Sequence, residues 1–470
     1  MIRIIIFILL TFFGYIQKAF SQDTLKLTKQ QMIQDIDLLV DRVHYAHINS
    51  YHYRSREEWQ DYIENMKQGL PDTLALFDFW RKTEEIFVFM NDAHTRTYPS
   101  AYYRDYIKAG GMFFPLNIKK AGSNYTVSKV YGNDTLINNN LTYIKSINDK
   151  PIDSVFAMMK LHSGKELDAL DDRYVSDSFI FYFWKTFNWQ PPYTIGFINA
   201  SGNLQYAELD GVTYQDLKEK EERNKAGKQV CELTFIKDTI ALIKIRDFYS
   251  MSRKGYKKFY RKTFRKINKR EVKNIILDFR NHDGGDSRYG EDLAKYFADK
   301  PFRASAATHW KVTPEFRTNF AQMYIPGIMR WAKFLYGINK HTKAIYSAKD
   351  NEVAVVNHKL IKPKATALRH PKNVYLLTDN YTFSAGSMFA AMVKDYKLGI
   401  IVGEPTGNLS SFYADPILWY KLPNSGITFQ VSTSFNLRPN GQNDDHSIEP
   451  DVYVESNQDA LERALQIIMK

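Results

Sequence analysis

The chain has a single cysteine, Cys231, in 470 residues. No intrachain disulfide can form, so the fold must rest on buried apolar cores whatever the redox state of its compartment. Long apolar runs are also scarce. The stretch IIIFILLTFFGYI, from Ile4 to Ile16, is too short for a comfortable transmembrane span, which takes about 20 residues. Arg3 precedes it and Ala19-Phe20-Ser21, a small-x-small cleavage signature, closes it. This pattern predicts a cleaved signal peptide over 1–21, with an uncleaved anchor as the alternative, and a secreted or periplasmic mature protein without a stable membrane span. No cysteine lies near the cleavage point, which argues against a lipoprotein anchor.

The formal charge is +12, and loss of Arg3 and Lys18 with the leader leaves +10. Much of the surplus lies between Arg253 and Lys273. There Tyr256, Phe259, Tyr260, Phe264 and Ile267 fall near helical spacing, so one helix with a packed face and a solvated basic face is expected. No nucleic-acid recognition motif accompanies the patch, and nucleic acid is not an expected partner.

Residues 22–105 read as helical. Thr28 with Gln31 and Ser55 with Glu58 form capping boxes ahead of apolar runs of 3.6 period, and a third helix is expected over Thr73–Met90. It runs out at Asn91-Asp92-Ala93-His94-Thr95, where a histidine alone would suit a helix C-terminus. Residues 106–214 read as β-rich, with strands near 112–118, 125–130 and 141–147, then a helix near 153–161. The aromatic stretch 172–192 shows no clear period, and 215–229 reads as a charged linker.

The remaining 230–470 carries the strongest local pattern. Val374–Leu377 is a short apolar run that ends at Thr378-Asp379-Asn380; Ser384-Ala385-Gly386-Ser387 then opens a helical pattern, and Ile400–Val402 gives a second strand. The unit is a parallel βαβ whose tight turn exposes a hydroxyl beside the free N–H groups of a helix N-terminus. Serine there also suits an ordinary N-cap. Upstream, the buried strand 274–279 runs into Arg280-Asn281-His282-Asp283-Gly284-Gly285. Paired glycines permit positive φ and let an N–H point into a cleft. No spaced partner set surrounds His282 and Asp283, so no metal site is expected. Residues 303–369 include FAQMYIPGIMRWAKFLYGI, read as a helical flap over the cleft with a lipid or partner contact as a minor option.

The segment TFSAGSMFAAMVKDYKLGIIVGEPTG, the strand and loop ending in Gly284-Gly285, and the tetrapeptide DAHT resemble elements of the S41 peptidases, the family of C-terminal processing and tail-specific proteases and of the tricorn core protease. The resemblance implies an α/β fold with a ClpP/crotonase-like catalytic core, an N-terminal helical region and an inserted PDZ-like β-rich domain, the last suggested by I-x-x-I-N-D-x-P at Ile144–Pro151. It further implies a serine endopeptidase acting on unfolded or extended protein, without a cofactor. Ser384 would attack, His94 would serve as general base and Asp444 would orient the imidazole, with Asp92 or Asp445 as other acids and His446 as a rival base. Gly284 or Gly285 and Ala385 would hold the oxyanion, and Gly110, Gly111, Met112 and Phe113 would form the peptide-binding approach. The chain departs from the family in two places. Gly407-Asn408-Leu409-Ser410-Ser411 lacks the lysine that tail-specific proteases use as base, and Ala93 replaces the serine that precedes the histidine in tricorn-type enzymes. A non-catalytic scaffold that binds peptides or an apolar ligand is therefore the rival expectation. An acyl-CoA enzyme of crotonase architecture is disfavoured by the leader, since CoA is intracellular, and the oligomeric state stays open.

Overall fold

The computed structural model describes residues 26–98, 101–132, 141–164, 166–225, 229–331, 336–364, 369, 373–415, 417–455 and 458–470. The predicted leader lies outside them. No helix among the described residues is long and apolar enough to cross a membrane.

Helices Lys29–Ala46, Arg56–Gln68 and Leu76–Met90 form the N-terminal region, and both capping boxes are made. The third helix starts three residues later than its periodicity suggests, because Thr73–Ala75 pairs as a strand with Lys26–Thr28. It ends where Asn91 takes a left-handed conformation, φ 59°, and turns the chain sharply into Asp92–Thr95. Asparagine tolerates that region better than most residues.

The central sheet has six strands in the order 231–236, 240–245, 274–278, 373–378, 400–403 and 452–453. The first pair is antiparallel and every later pair parallel. Both faces are covered, so its strands read as continuous apolar runs. Ile275, Leu277, Val374 and Leu376 pack with Tyr256, Tyr260, Phe264 and Ile267 of the basic helix Arg253–Lys269 and with Phe389 and Met392 of the helix Ala385–Asp395. Ile276, Tyr375, Leu377 and Val402 face the other way, against Ala460 and Ala464 of the last helix, Ala460–Met469.

Three sequence expectations change. The aromatic stretch forms helices Asp168–Asp177 and Phe179–Phe187. In the second, Phe179 and Phe183 enter the core of the β-rich segment while Ile180 and Trp184 enter the core of the N-terminal helices, and burial on two faces erases the one-sided period. The charged linker is mostly a helix, Tyr214–Lys225. The stretch 303–369 is not a flap as a whole. Ala307–Lys311 is an inner strand of a four-stranded sheet, between Val353–Asn357 and Ser434–Leu437, and Trp310, Val312, Phe316, Phe320 and Ile345 share the core of the N-terminal helices.

The N-terminal helices are tied to the C-terminal half at the point where His94 sits. Arg96–Thr97 adds a third strand to the hairpin of Leu418–Lys421 and Thr428–Val431. Gln430 Nε2 donates to the His94 carbonyl at 2.6 Å, and Thr95 Oγ1 accepts the Ser432 N–H at 2.9 Å.

Candidate active site

The strand Asn373–Thr378 leaves the sheet at its carboxyl end and turns within six residues into the helix Ala385–Asp395. Ser384 stands at the N-cap position, but its φ of 51° and ψ of −117° are not those of a cap, and its side chain makes no capping bond. Holding a residue other than glycine in such a region costs about 1–3 kcal/mol and persists only when the surroundings enforce it. Here they do. Thr382 Oγ1 donates to the Phe279 carbonyl at 2.9 Å, the Phe383 N–H donates to the His282 carbonyl at 2.9 Å, and the Ser384 N–H donates to Asn408 Oδ1 at 2.6 Å. The second serine of the cluster is structural, since Ser387 Oγ donates to the Thr382 carbonyl at 2.7 Å.

The glycine loop lies directly against this turn. Gly284 has φ 90°, and a methyl group on it would stand 2.6 Å from Ser384 Cβ and 3.2 Å from the Ala385 nitrogen. Gly285 has φ 119°, and a methyl there would meet the Phe248 carbonyl carbon at 2.6 Å. Both positions therefore require glycine. They are not equivalent as donors, because the Gly284 N–H is already given to His282 Nδ1 at 3.0 Å. Of the two, Gly285 is left as the loop's candidate donor. Ala385 has no intrahelical acceptor by its place in the first turn. His282 is fully buried, stacked on Phe279 at 4.7 Å and edge-on to Phe248 at 4.4 Å. Burial holds its imidazole down to about 3, so it is neutral and accepts at Nδ1. The sequence marked His282 only as a residue without metal partners; its bond inside the loop depends on the loop's fold.

His94 approaches from the N-terminal region. Its ring stacks on Phe383, the neighbour of Ser384, at 5.2 Å between centroids, and on Phe412 at 5.7 Å. Around it stand two carboxylates, Asp92 and Glu166, and one potential ligand atom from each of the three side chains lies within 4.8 Å of the others. Asp92 is already engaged through both oxygens. Oδ1 accepts the His94 backbone N–H at 2.9 Å, while Oδ2 accepts the Thr95 hydroxyl and sits 3.3 Å from His47 Nε2. Burial alone would raise its carboxyl, but His47, His94 and Thr95 hold it well below the usual carboxylate range. Glu166 is the opposite case: burial, then the Asp92 charge, push it up to about 8 against the pull of hydrogen bonds from Asn408 and from the Ala93 and Leu409 backbone. With Asp92 so committed, the group reads as carboxylates set about an imidazole rather than as a cation cage.

Other expected site residues fall elsewhere. Asp444 Oδ1 accepts the Ser410 hydroxyl and Oδ2 accepts Arg438 Nη1 at 2.7 Å, so both of its oxygens anchor a loop. Asp445 lies 3.3 Å from His52 Nε2, and His446 is exposed. The peptide-binding approach is also corrected. The N–H groups of Gly110 and Gly111 close the preceding helix on the carbonyls of Ile107 and Tyr106, Met112 and Phe113 pair with Thr213 and Val212, and Phe113 is buried. These donors are not available to a peptide terminus.

Sequence reading missed Glu166, Asn408 and Arg173. Asn408 joins the two halves of the site, with Oδ1 on the Ser384 N–H and Nδ2 donating to Glu166 Oε2 at 3.2 Å. Arg173 bridges Glu404 at 2.9 Å and Asp379 at 3.3 Å and lies over the Tyr381 ring at 3.9 Å, which fixes the helix after Glu166 to the turn that holds Ser384. Asn408 sits where the missing lysine drew attention; nothing local in the sequence distinguishes Glu166.

Comparison with known proteins follows the same lines. The pattern of peptidase family S41 matches residues 239–454. No curated protein sequence matches the chain. Among solved structures, a CPAF serine-to-alanine mutant superposes with a TM-score of 0.66 at 11% identity, covering 94% of this chain and 96% of that one. Mature CPAF complexed with lactacystin gives 0.63 at 13% identity, covering 90% and 94%, and mature CPAF gives 0.60 at 13%, covering 90% and 92%. At such identities the likeness is one of fold, and it extends over nearly the whole chain. Residues 239–454 thus match peptidase family S41, and the match supports a serine-type peptidase.

Proposed function

We propose that the protein is a secreted or periplasmic endopeptidase that cleaves extended protein segments with Ser384 as nucleophile and His94 as general base. The observation that carries this reading is the stacking of the His94 ring on Phe383, beside a serine held at φ 51°. In the reaction Ser384 Oγ attacks the scissile carbonyl while His94 takes its proton and later returns it to the leaving amine. The N–H groups of Gly285 and Ala385 receive the oxyanion, each such donor contributing about 3 kcal/mol to the transition state. No lysine lies in Asn408-Leu409-Ser410-Ser411, just beyond the Gly403-Glu404-Pro405-Thr406-Gly407 stretch, which favours a histidine base.

Casein hydrolysis by the chain lacking residues 1–21, beside Ser384→Ala and His94→Ala, tests the reading. Both variants should lose activity by roughly 10³-fold or more while remaining folded. An unmutated chain that neither hydrolyses casein nor reacts with a fluorophosphonate at Ser384 would instead fit a peptide-binding scaffold. Export rests on the pattern of residues 1–21 and is checked by N-terminal sequencing of the full chain recovered from its native host. A mature end near Gln22 is expected, and an intact Met1 would refute processing.

A further inference from the structure

The geometry points to Glu166 as the carboxylate that orients the His94 imidazole, in place of an acid near the C-terminal end of the chain. This rests on the Ser384/His94 reading above. Four observations converge on it. Asp444 is bound through both oxygens to Ser410 and Arg438. Asp92, the other carboxylate beside the ring, is bound through both oxygens to the His94 backbone, Thr95 and His47. Glu166 is held by Asn408 Nδ2, at 3.2 Å from Oε2, and by the backbone of Ala93 and Leu409, whereas Oε1 is among the buried atoms with no hydrogen-bond partner among the described residues. A buried acceptor left without a donor is destabilising, and the imidazole in the 4.8 Å cluster supplies a donor for it. Finally, Asn408 holds the Ser384 N–H with its other end, so nucleophile and acid are set by one side chain.

Glu166 acts through His94 and is a positioning residue. As His94 accepts the serine proton it becomes an imidazolium, and an anionic carboxylate at its far nitrogen stabilises that charge and fixes the tautomer. The groups that face Glu166 are the Asp92 carboxylate, His94, Asn408 and the phenols of Tyr53 and Tyr413; both phenols are raised chiefly by burial and further by Glu166. With its carboxyl pushed up to about 8, the resting enzyme holds much of Glu166 protonated at neutral pH. Activity should therefore rise with pH through the neighbourhood of 8, as the anionic form is gained.

The test compares the chain lacking residues 1–21 with Glu166→Gln, Glu166→Asp, Ser384→Ala and His94→Ala, measuring kcat and KM on a fluorogenic peptide cut from casein and the pH dependence of fluorophosphonate labelling. Glu166→Gln should lower kcat by about 100-fold or more with KM within about threefold, and Glu166→Asp should recover part of that loss. The unmutated enzyme should show an ionisation near 8 in its labelling profile that Glu166→Gln lacks. If Glu166→Gln stays within threefold of the parent while His94→Ala is dead, the assignment of Glu166 is overturned and the Ser/His reading stands. If His94→Ala keeps parental activity, both fall together. Should Glu166→Gln fail to fold by circular dichroism, the parent's own profile decides, and one without an ionisation near 8 overturns the proposal.

Discussion

At the scale of single residues, the site is settled by which polar atoms are already occupied. Gly284 and Gly285 look alike in the sequence, yet one N–H is bound to His282 Nδ1 and so does not face the cleft. Asp92, Asp444 and Asp445 are all acids within reach of the motif, yet each has another partner. His282 shows the energetic consequence of such an arrangement. It is neutral in the fold down to about 3 but titrates near 6.5 when unfolded, so the unfolded chain binds more protons between those values. The stability it confers is complete above about pH 6.5 and is lost as pH falls toward 3, with a slope of up to about 1.4 kcal/mol per pH unit for one such proton. Urea unfolding of the parent and of His282→Asn between pH 4.5 and 6 should show a slope shallower by roughly 1 kcal/mol per pH unit in the variant. Equal slopes would mean that His282 is not held neutral.

At the scale of elements, the helix Asp168–Asp177 does more than cover the β-rich segment. Arg173 projects from it to Asp379 and Glu404, and Asp379 in turn accepts the N–H groups of Asn281 in the glycine loop and Tyr381 in the Ser384 turn. One guanidinium thus ties three pieces of the site that come from different parts of the chain. Removing it leaves two acidic groups close together without their cation, and displacements of about 1 Å at a reacting centre can cost about 100-fold in rate. Arg173→Ala should accordingly lower kcat by roughly 10- to 100-fold, more than it raises KM. Steady-state kinetics beside a thermal melt checks this, and an unchanged kcat in a folded variant would show that the bridge only supports the fold. The basic helix Arg253–Lys269 is a different matter. Its Tyr256, Tyr260, Phe264 and Ile267 are buried against the central sheet, and its excess of Lys and Arg lies on the outer face, as its sequence period indicated.

At the scale of the whole molecule, legibility follows the range of the interactions. The two capping boxes and the parallel βαβ unit are built from neighbours in sequence, and the sequence alone determined them, whereas the strain at Ser384 is enforced by Phe279, His282 and Asn408. The helix Phe179–Phe187 and the stretch 303–369 were misread because their apolar residues serve two cores or an inner strand supplied by distant parts of the chain. His94 was visible as part of a tetrapeptide, but its place beside Phe383 is decided by Gln430 and the strand pairing at Arg96–Thr97, across 336 residues. Glu166 carries no local signal. It enters the site because Asn408, 242 residues away, reaches it and because Arg173 fixes the helix that follows it. The sequence therefore determined the strand–turn–helix that carries Ser384, the glycine loop and the DAHT segment as local elements, since each is a short pattern of adjacent residues. Only the tertiary structure decided which N–H and which carboxylate remain for chemistry, because a hydrogen-bonding group is free or taken according to what the fold packs against it.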